Sequence, residues 1–201
     1  MKKFSILFGI VMTIFVAYYY ANHPGKKLDS TTSESEFAAL LANLPADQSE
    51  FLKIVRRGQS ESKLANNDTE KVGARADRES AICGLLGQLA VTDWIGKVDT
   101  LTLNSDGKSV IVIEIARHAY VKTYNNTVSD ILSEARTLIQ PGTDLFNKAA
   151  QLREGQRVKF SGTFIRDSSD SGGCIEQGSL TTNGKLAEPE FIFRFSDIGP
   201  A

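Results

Sequence analysis

The sequence predicts an α+β protein: an apolar N-terminal segment and a helical region, then a closed β-barrel of five or six strands with a helix between the third and fourth. Three observations carry this. Leu152 to Phe164 (LREGQRVKFSGTF) leaves a helical segment at Gly155 and enters a strand. There Val158, Phe160, Gly162 and Phe164 share one face while Lys159, Ser161 and Thr163 share the other. A glycine at an inward strand position marks a sharp bend or a close approach of another backbone, which small closed barrels need. Gly96, within Trp94 to Val98, repeats the device. Finally, Phe191, Phe193 and Phe195 alternate with Ile192, Arg194 and Ser196, giving one dense apolar face that reads as core.

A chain of 201 residues is long enough for one such domain plus an accessory region, and its core needs no staples. Net charge is −1 and the sequence pI is about 6.2, so no global field draws the chain to nucleic acid or anionic lipid. The two cysteines, Cys83 and Cys174, form no CxxC pair, which removes zinc and thioredoxin-type readings. In an exported chain a disulfide between them is chemically allowed; two separate buried thiols are the alternative.

Residues 1–22 form the first division. After Lys2 and Lys3 comes an uncharged run of 17 residues, Phe4 to Tyr20, just long enough to span a bilayer and closed by Tyr18, Tyr19 and Tyr20 at an interfacial position. Cleavage after Ala21 would place Tyr19 where a small residue is preferred, so an uncleaved signal anchor is favoured over a cleaved signal peptide. The basic start places the N-terminus in the cytoplasm and the remainder in the periplasm, with Lys26 and Lys27 opposing this orientation. Residues 23–32 read as a linker.

Residues 33–88 read as helical. Ser33 and Glu36 form a capping box ahead of Phe37, Leu40, Leu41 and Leu44, and Pro45 stops that helix. A second helix starts after Asp47, buries Phe51, Leu52, Ile54 and Val55, and closes at Arg56-Arg57-Gly58. A third pattern runs from Ser62 to Leu86 through a polar middle, with Asp68 or Thr69 capping a fresh start. The region serves as a spacer below the barrel or, alternatively, as an oligomerising surface. Asn67-Asp68-Thr69 and Asn125-Asn126-Thr127 spell glycosylation sequons and are read as chance.

Residues 92–201 hold the barrel. Its first strand, Trp94 to Leu103, changes phase, with Trp94, Gly96 and Val98 inward and then Leu101 and Leu103; such a strand bends and serves both sides of a barrel. Asn104-Ser105-Asp106-Gly107 is a hairpin turn, Ser109 to Ala116 the second strand, Arg117-His118 a turn and Ala119 to Tyr124 the third strand. Asn125 to Pro141 is less regular. Gly142 to Leu152 is a helix capped by Thr143 or Asp144, with Leu145, Phe146, Ala149 and Leu152 in one stripe. The strand Gln156 to Arg166 follows, then a loop from Asp167 to Gly173. Cys174 to Thr181 is a strand, Asn183-Gly184 a hairpin signal, and Pro189 to Ile198 the last strand.

This order is that of the OB-fold barrel. Trp94-x-Gly96-x-Val98 and Gly155-x-x-Val158-x-Phe160-Ser161-Gly162-x-Phe164 resemble the tRNA-anticodon-like OB proteins of the bacterial envelope. The resemblance covers Trp94 to Ile198 and implies an OB-like barrel; it carries fold ancestry rather than nucleic-acid binding.

No catalytic set assembles. His118, with Glu114 four residues earlier, reads as structural or solvated. Gly178 to Leu186 has one residue too many for a P-loop and Leu186 where a hydroxyl is required, and Asp167 and Asp170 lack EF-hand spacing. No cofactor, metal or catalytic residue is therefore assigned. OB ligands lie across the second and third strands, where this chain carries Arg117, His118, Tyr120, Lys122, Tyr124 and Asn125. The expectation is a non-catalytic, inner-membrane-anchored module in the periplasm that binds another envelope protein. The alternatives are a binder of single-stranded nucleic acid or oligosaccharide on that face, or an accessory subunit that oligomerises through its helices.

Overall fold

A computed structural model of the chain describes residues 42–167, 173–179 and 181–201. The proposed anchor, the linker and the capped helix at Ser33 lie outside these residues, as does most of the loop after Asp167. No helix among the described residues is long and apolar enough to cross a membrane.

Two helices open the described chain: α1, Ala46–Leu64, and α2, Asp68–Leu85. The sequence reading closed the first at Gly58, but the helix runs six residues further, to Leu64. Gly58 is a crossing point rather than a stop. A Cβ there would lie 2.9 Å from Cδ of Arg78, so the missing side chain lets α2 pass close by. The buried face of α1 continues through Gln59 and Ser62. The cap of α2 is Asn67, one residue before Asp68 and two before Thr69, the caps expected; its side chain accepts from the Glu70 amide at 3.0 Å.

Five strands follow: β1 (Ala90–Leu103), β2 (Ser109–Ala116), β3 (Ala119–Lys122), β4 (Arg157–Phe164) and β5 (Glu190–Pro200). They close in the order β1-β2-β3-β5-β4, with β4 returning to β1; β3 and β5 run parallel and the other neighbours antiparallel. The chain is thus α+β around a closed mixed barrel of five strands, and no sixth strand joins it among the described residues. As the phase change implied, β1 pairs along one part with β4 and along another with β2. Its register shifts between Val98 and Thr100, however, and this bulge leaves Leu101 half-buried and Leu103 mostly exposed instead of inward.

Three short helices complete the described fold. Between β3 and β4 lie α3 (Thr127–Leu132), in the stretch read as irregular, and α4 (Asp144–Ala149), capped by Thr143. The third, α5 (Thr182–Ala187), replaces the hairpin expected at Asn183-Gly184. The Thr181 side chain accepts from the Gly184 amide at 3.0 Å, and Leu186 is fully buried, so a local cap and a tertiary anchor override the turn preference of Asn-Gly. The described residues 174–179 likewise form no strand. They lie beside β5 through one isolated bridge, Gln177 to Phe191.

The core is a ladder of rings. Trp94, Phe160, Phe164, Phe191, Phe193 and Phe195 meet at centroid separations of 4.9–6.5 Å, mostly edge to face. Phe51 of α1 enters the same cluster, 5.1 Å from Trp94, 5.4 Å from Phe164 and 5.1 Å from Phe191. The helices and the barrel therefore share one core. Gly162 is inward and tight: a Cβ there would collide with the Arg194 carbonyl and lie 2.5 Å from the Phe193 ring. A disulfide joins Cys83 of α2 to Cys174, with Cα atoms 5.5 Å apart.

Candidate functional site

The register of β1, β2, β3 and β5 builds a cleft of about 500 Å3 on the outer surface of the barrel. Alternation along β3 sends Val121 inward and leaves Tyr120 and Lys122 on the cleft side. Val110 and Val112 of β2, Thr100 and Thr102 of β1, Asn125 and Glu188 also line it.

The six residues selected from the sequence divide. Tyr120, Lys122 and Asn125 line this cleft together. Arg117 and His118 occupy the β2–β3 turn, where His118 takes a left-handed φ of 58° and its Nδ1 lies 3.5 Å from Oε1 of the cleft residue Glu188. The Arg117 Nε donates to His118 Nε2 at 3.4 Å. Tyr124 is elsewhere: its hydroxyl donates to Glu176, and burial first, then this bond, pushes the phenol up to about 12.

Three acidic residues were missed: Asp99, Glu188 and Glu190. They reach the cleft only because β3 pairs in parallel with β5, placing Glu190 opposite Tyr120, and because the β1 bulge falls at Asp99. Neither contact has a local sequence signal. Their effect on the site is large. Lys122, the one base lining the cleft among the described residues, donates to Glu190 at 3.1 Å and is nearly buried. Three carboxylates thus face one ammonium that is already paired. The Tyr120 hydroxyl reports this field: burial raises its pKa first, and the carboxylates of Glu114, Asp99, Glu188 and Glu190 raise it further. Glu114 itself is paired with Lys97 at 2.7 Å.

Among the described residues no group of three or more His, Cys, Asp and Glu side chains is placed to hold a metal ion. The cleft offers hydroxyls, an amide and carboxylates along an extended groove. It is suited to holding a chain by hydrogen bonds, with a charge preference for neutral or basic groups. No family model, curated protein or solved structure matches this chain.

Proposed function

We propose that the chain is a non-catalytic binding module of the OB type, anchored in the inner membrane through residues 4–20, whose cleft holds a segment of another envelope protein on the periplasmic side. The uncharged run Phe4 to Tyr20 supports the anchor. The closure order β1-β2-β3-β5-β4, with helices between β3 and β4, supports the OB-like reading.

The observation that carries the choice of ligand is the charge of the cleft. A single-stranded nucleic acid needs cationic groups that follow its phosphates. Here it would meet Asp99, Glu188 and Glu190, with Lys122 already neutralised by Glu190. A polypeptide segment with neutral or basic side chains meets no such repulsion. The oligomerising alternative loses material for a different reason: Phe51, Leu52 and Val55 are buried inside this same chain.

The test is photocrosslinking in cells from position 120, with position 77 on α2 as control. A discrete protein adduct is expected at 120 and absent at 77, and Glu190→Lys combined with Asp99→Lys is expected to abolish it. A salt-dependent mobility shift with single-stranded DNA, lost in Tyr120→Ala, would overturn the protein-partner reading in favour of nucleic acid.

A further inference from the structure

A second groove, of about 310 Å3, is lined by Lys148 of α4, by Gln151 and Leu152 just after it, and by residues of β4 and β5. Two lysine–aspartate pairs flank it. Lys148 Nζ donates to Asp197 at 2.6 Å on one side, and Lys159 Nζ lies 3.5 Å from Asp93 on the other. Ser161 and Gly199 also line it. In the β4–β5 register Ser161 stands opposite Asp197 and Lys159 opposite Gly199. A Cβ added at Gly199 would meet nothing within 4 Å, so the position opposite Lys159 is open.

The backbone is specially shaped here. The β1–β4 register breaks between Val91 and Trp94, and the β4–β5 register breaks between Ser161 and Gly162. Asp93, in the first break, takes a left-handed φ of 58°, and its amide donates to Ser161 Oγ at 3.0 Å. Paired bulges of this kind re-aim side chains. Here they place Asp93 of β1 and Asp197 of β5 on the strands either side of Ser161.

From this arrangement we propose that the groove is a binding site for a neutral carbohydrate chain. Two positive and two negative groups cancel, so the groove draws an ion of neither sign from a distance. An anionic ligand would have to take a lysine from its aspartate and then lie against the released carboxylate. A cationic ligand faces the mirror problem at the lysines. A sugar hydroxyl meets neither obstacle, because it accepts from an ammonium and donates to a carboxylate at once. Adjacent hydroxyls on a pyranose can bridge each Lys–Asp pair without separating it, and Ser161 and the Gln151 amide add further donors and acceptors. The volume lies at the small end of the roughly 300–1,000 Å3 of small-ligand sites, enough for a short stretch of chain.

Saturation-transfer NMR on the full chain in detergent tests this, with chitotetraose and maltotetraose as neutral probes and tetragalacturonate as the acidic one. At least one neutral probe is expected to show transfer and the acidic probe none. Gly199→Phe fills the groove from a position with free space around it, and it is expected to weaken the neutral probe about tenfold or more. Gly73→Phe, also at an open position, is expected to leave binding unchanged. Trp94 emission reports whether each variant is folded. Absence of transfer from both neutral probes overturns the proposal, as does binding that survives Gly199→Phe in the folded protein. Loss of binding in Tyr120→Ala instead of Gly199→Phe would move the sugar to the β2–β3 cleft and equally overturn it.

Discussion

Two buried side chains show how individual residues govern this molecule. Arg78 is 2 % exposed; its Nη1 donates to the Lys185 carbonyl at 2.6 Å and its Nη2 to Gln177 Oε1 at 2.8 Å. The guanidinium lies 5.9 Å from the Phe191 ring centroid, and its Nε has no partner among the described residues. Burial pulls its pKa down to about 10, which still leaves it charged at neutral pH. Arg78→Ala would strip two acceptors of their donor and open a void under α2, so a loss of about 2–4 kcal/mol in urea unfolding is expected. Arg78→Met keeps the aliphatic stem and should lose less. Tyr124 gives a pH signature. Its folded pKa, about 12 against an ordinary 10.0, is raised mainly by burial and then by Glu176. Its contribution to stability is therefore complete below pH 10 and is lost as pH rises through about 12. Absorbance titration should show one tyrosine ionising near 12, and Glu176→Gln should lower that midpoint only part of the way, because burial remains.

At the scale of elements, legibility followed how local the cause was. The strand Arg157–Phe164 was readable because alternation and an inward glycine lie within one short stretch, and Gly155 ends the preceding segment with a φ of 80°. The α5 helix was not readable, since what holds it is remote: Gln59 Nε2 donates to the Ala187 carbonyl at 3.1 Å, and Arg78 holds the carbonyl of Lys185. The far end of α1 lay between these extremes. Gln48, Phe51, Leu52, Val55, Gln59 and Ser62 form a continuous helical stripe, but only if buried glutamines count as inward. Gln48 earns that place by mimicking a strand neighbour: its Nε2 donates to the Ile95 carbonyl at 2.6 Å and its Oε1 accepts from the Ile95 amide at 2.8 Å. These ties bear on the disulfide. Cys83 and Cys174 are separated by 91 residues, and removing such a link by paired serine substitutions should cost about 2–5 kcal/mol. The helices should nonetheless stay docked, because Gln48, Gln59 and Arg78 hold them independently. The expected result is a lower Tm with native-state Trp94 emission unchanged.

For the whole molecule, what matters is that α1 completes the barrel instead of standing apart from it. A spacer can be removed without consequence; α1 cannot, because Phe51 stacks against Trp94, Phe164 and Phe191 and is itself fully buried. The sequence does show an apolar side on this helix, but composition alone does not say which surface covers it, and a polar stretch before the barrel suggests a boundary. Only the closed topology, with Trp94, Phe164 and Phe191 on three strands of the barrel, reveals the position that Phe51 fills. The core then extends across the apparent boundary, and unfolding should be a single transition. Trp94 is the only tryptophan in the chain, and its indole donates to Asp47 Oδ2 at 2.9 Å, so its fluorescence reports on this junction. Phe51→Ala should cost about 3–5 kcal/mol and shift native Trp94 emission to the red as water reaches the indole. A chain starting at residue 88 should show no cooperative thermal transition, since it would expose the rings that α1 covers. A truncated chain that melted sharply with wild-type Trp94 emission would instead make the barrel self-sufficient and return the helices to the role of a spacer.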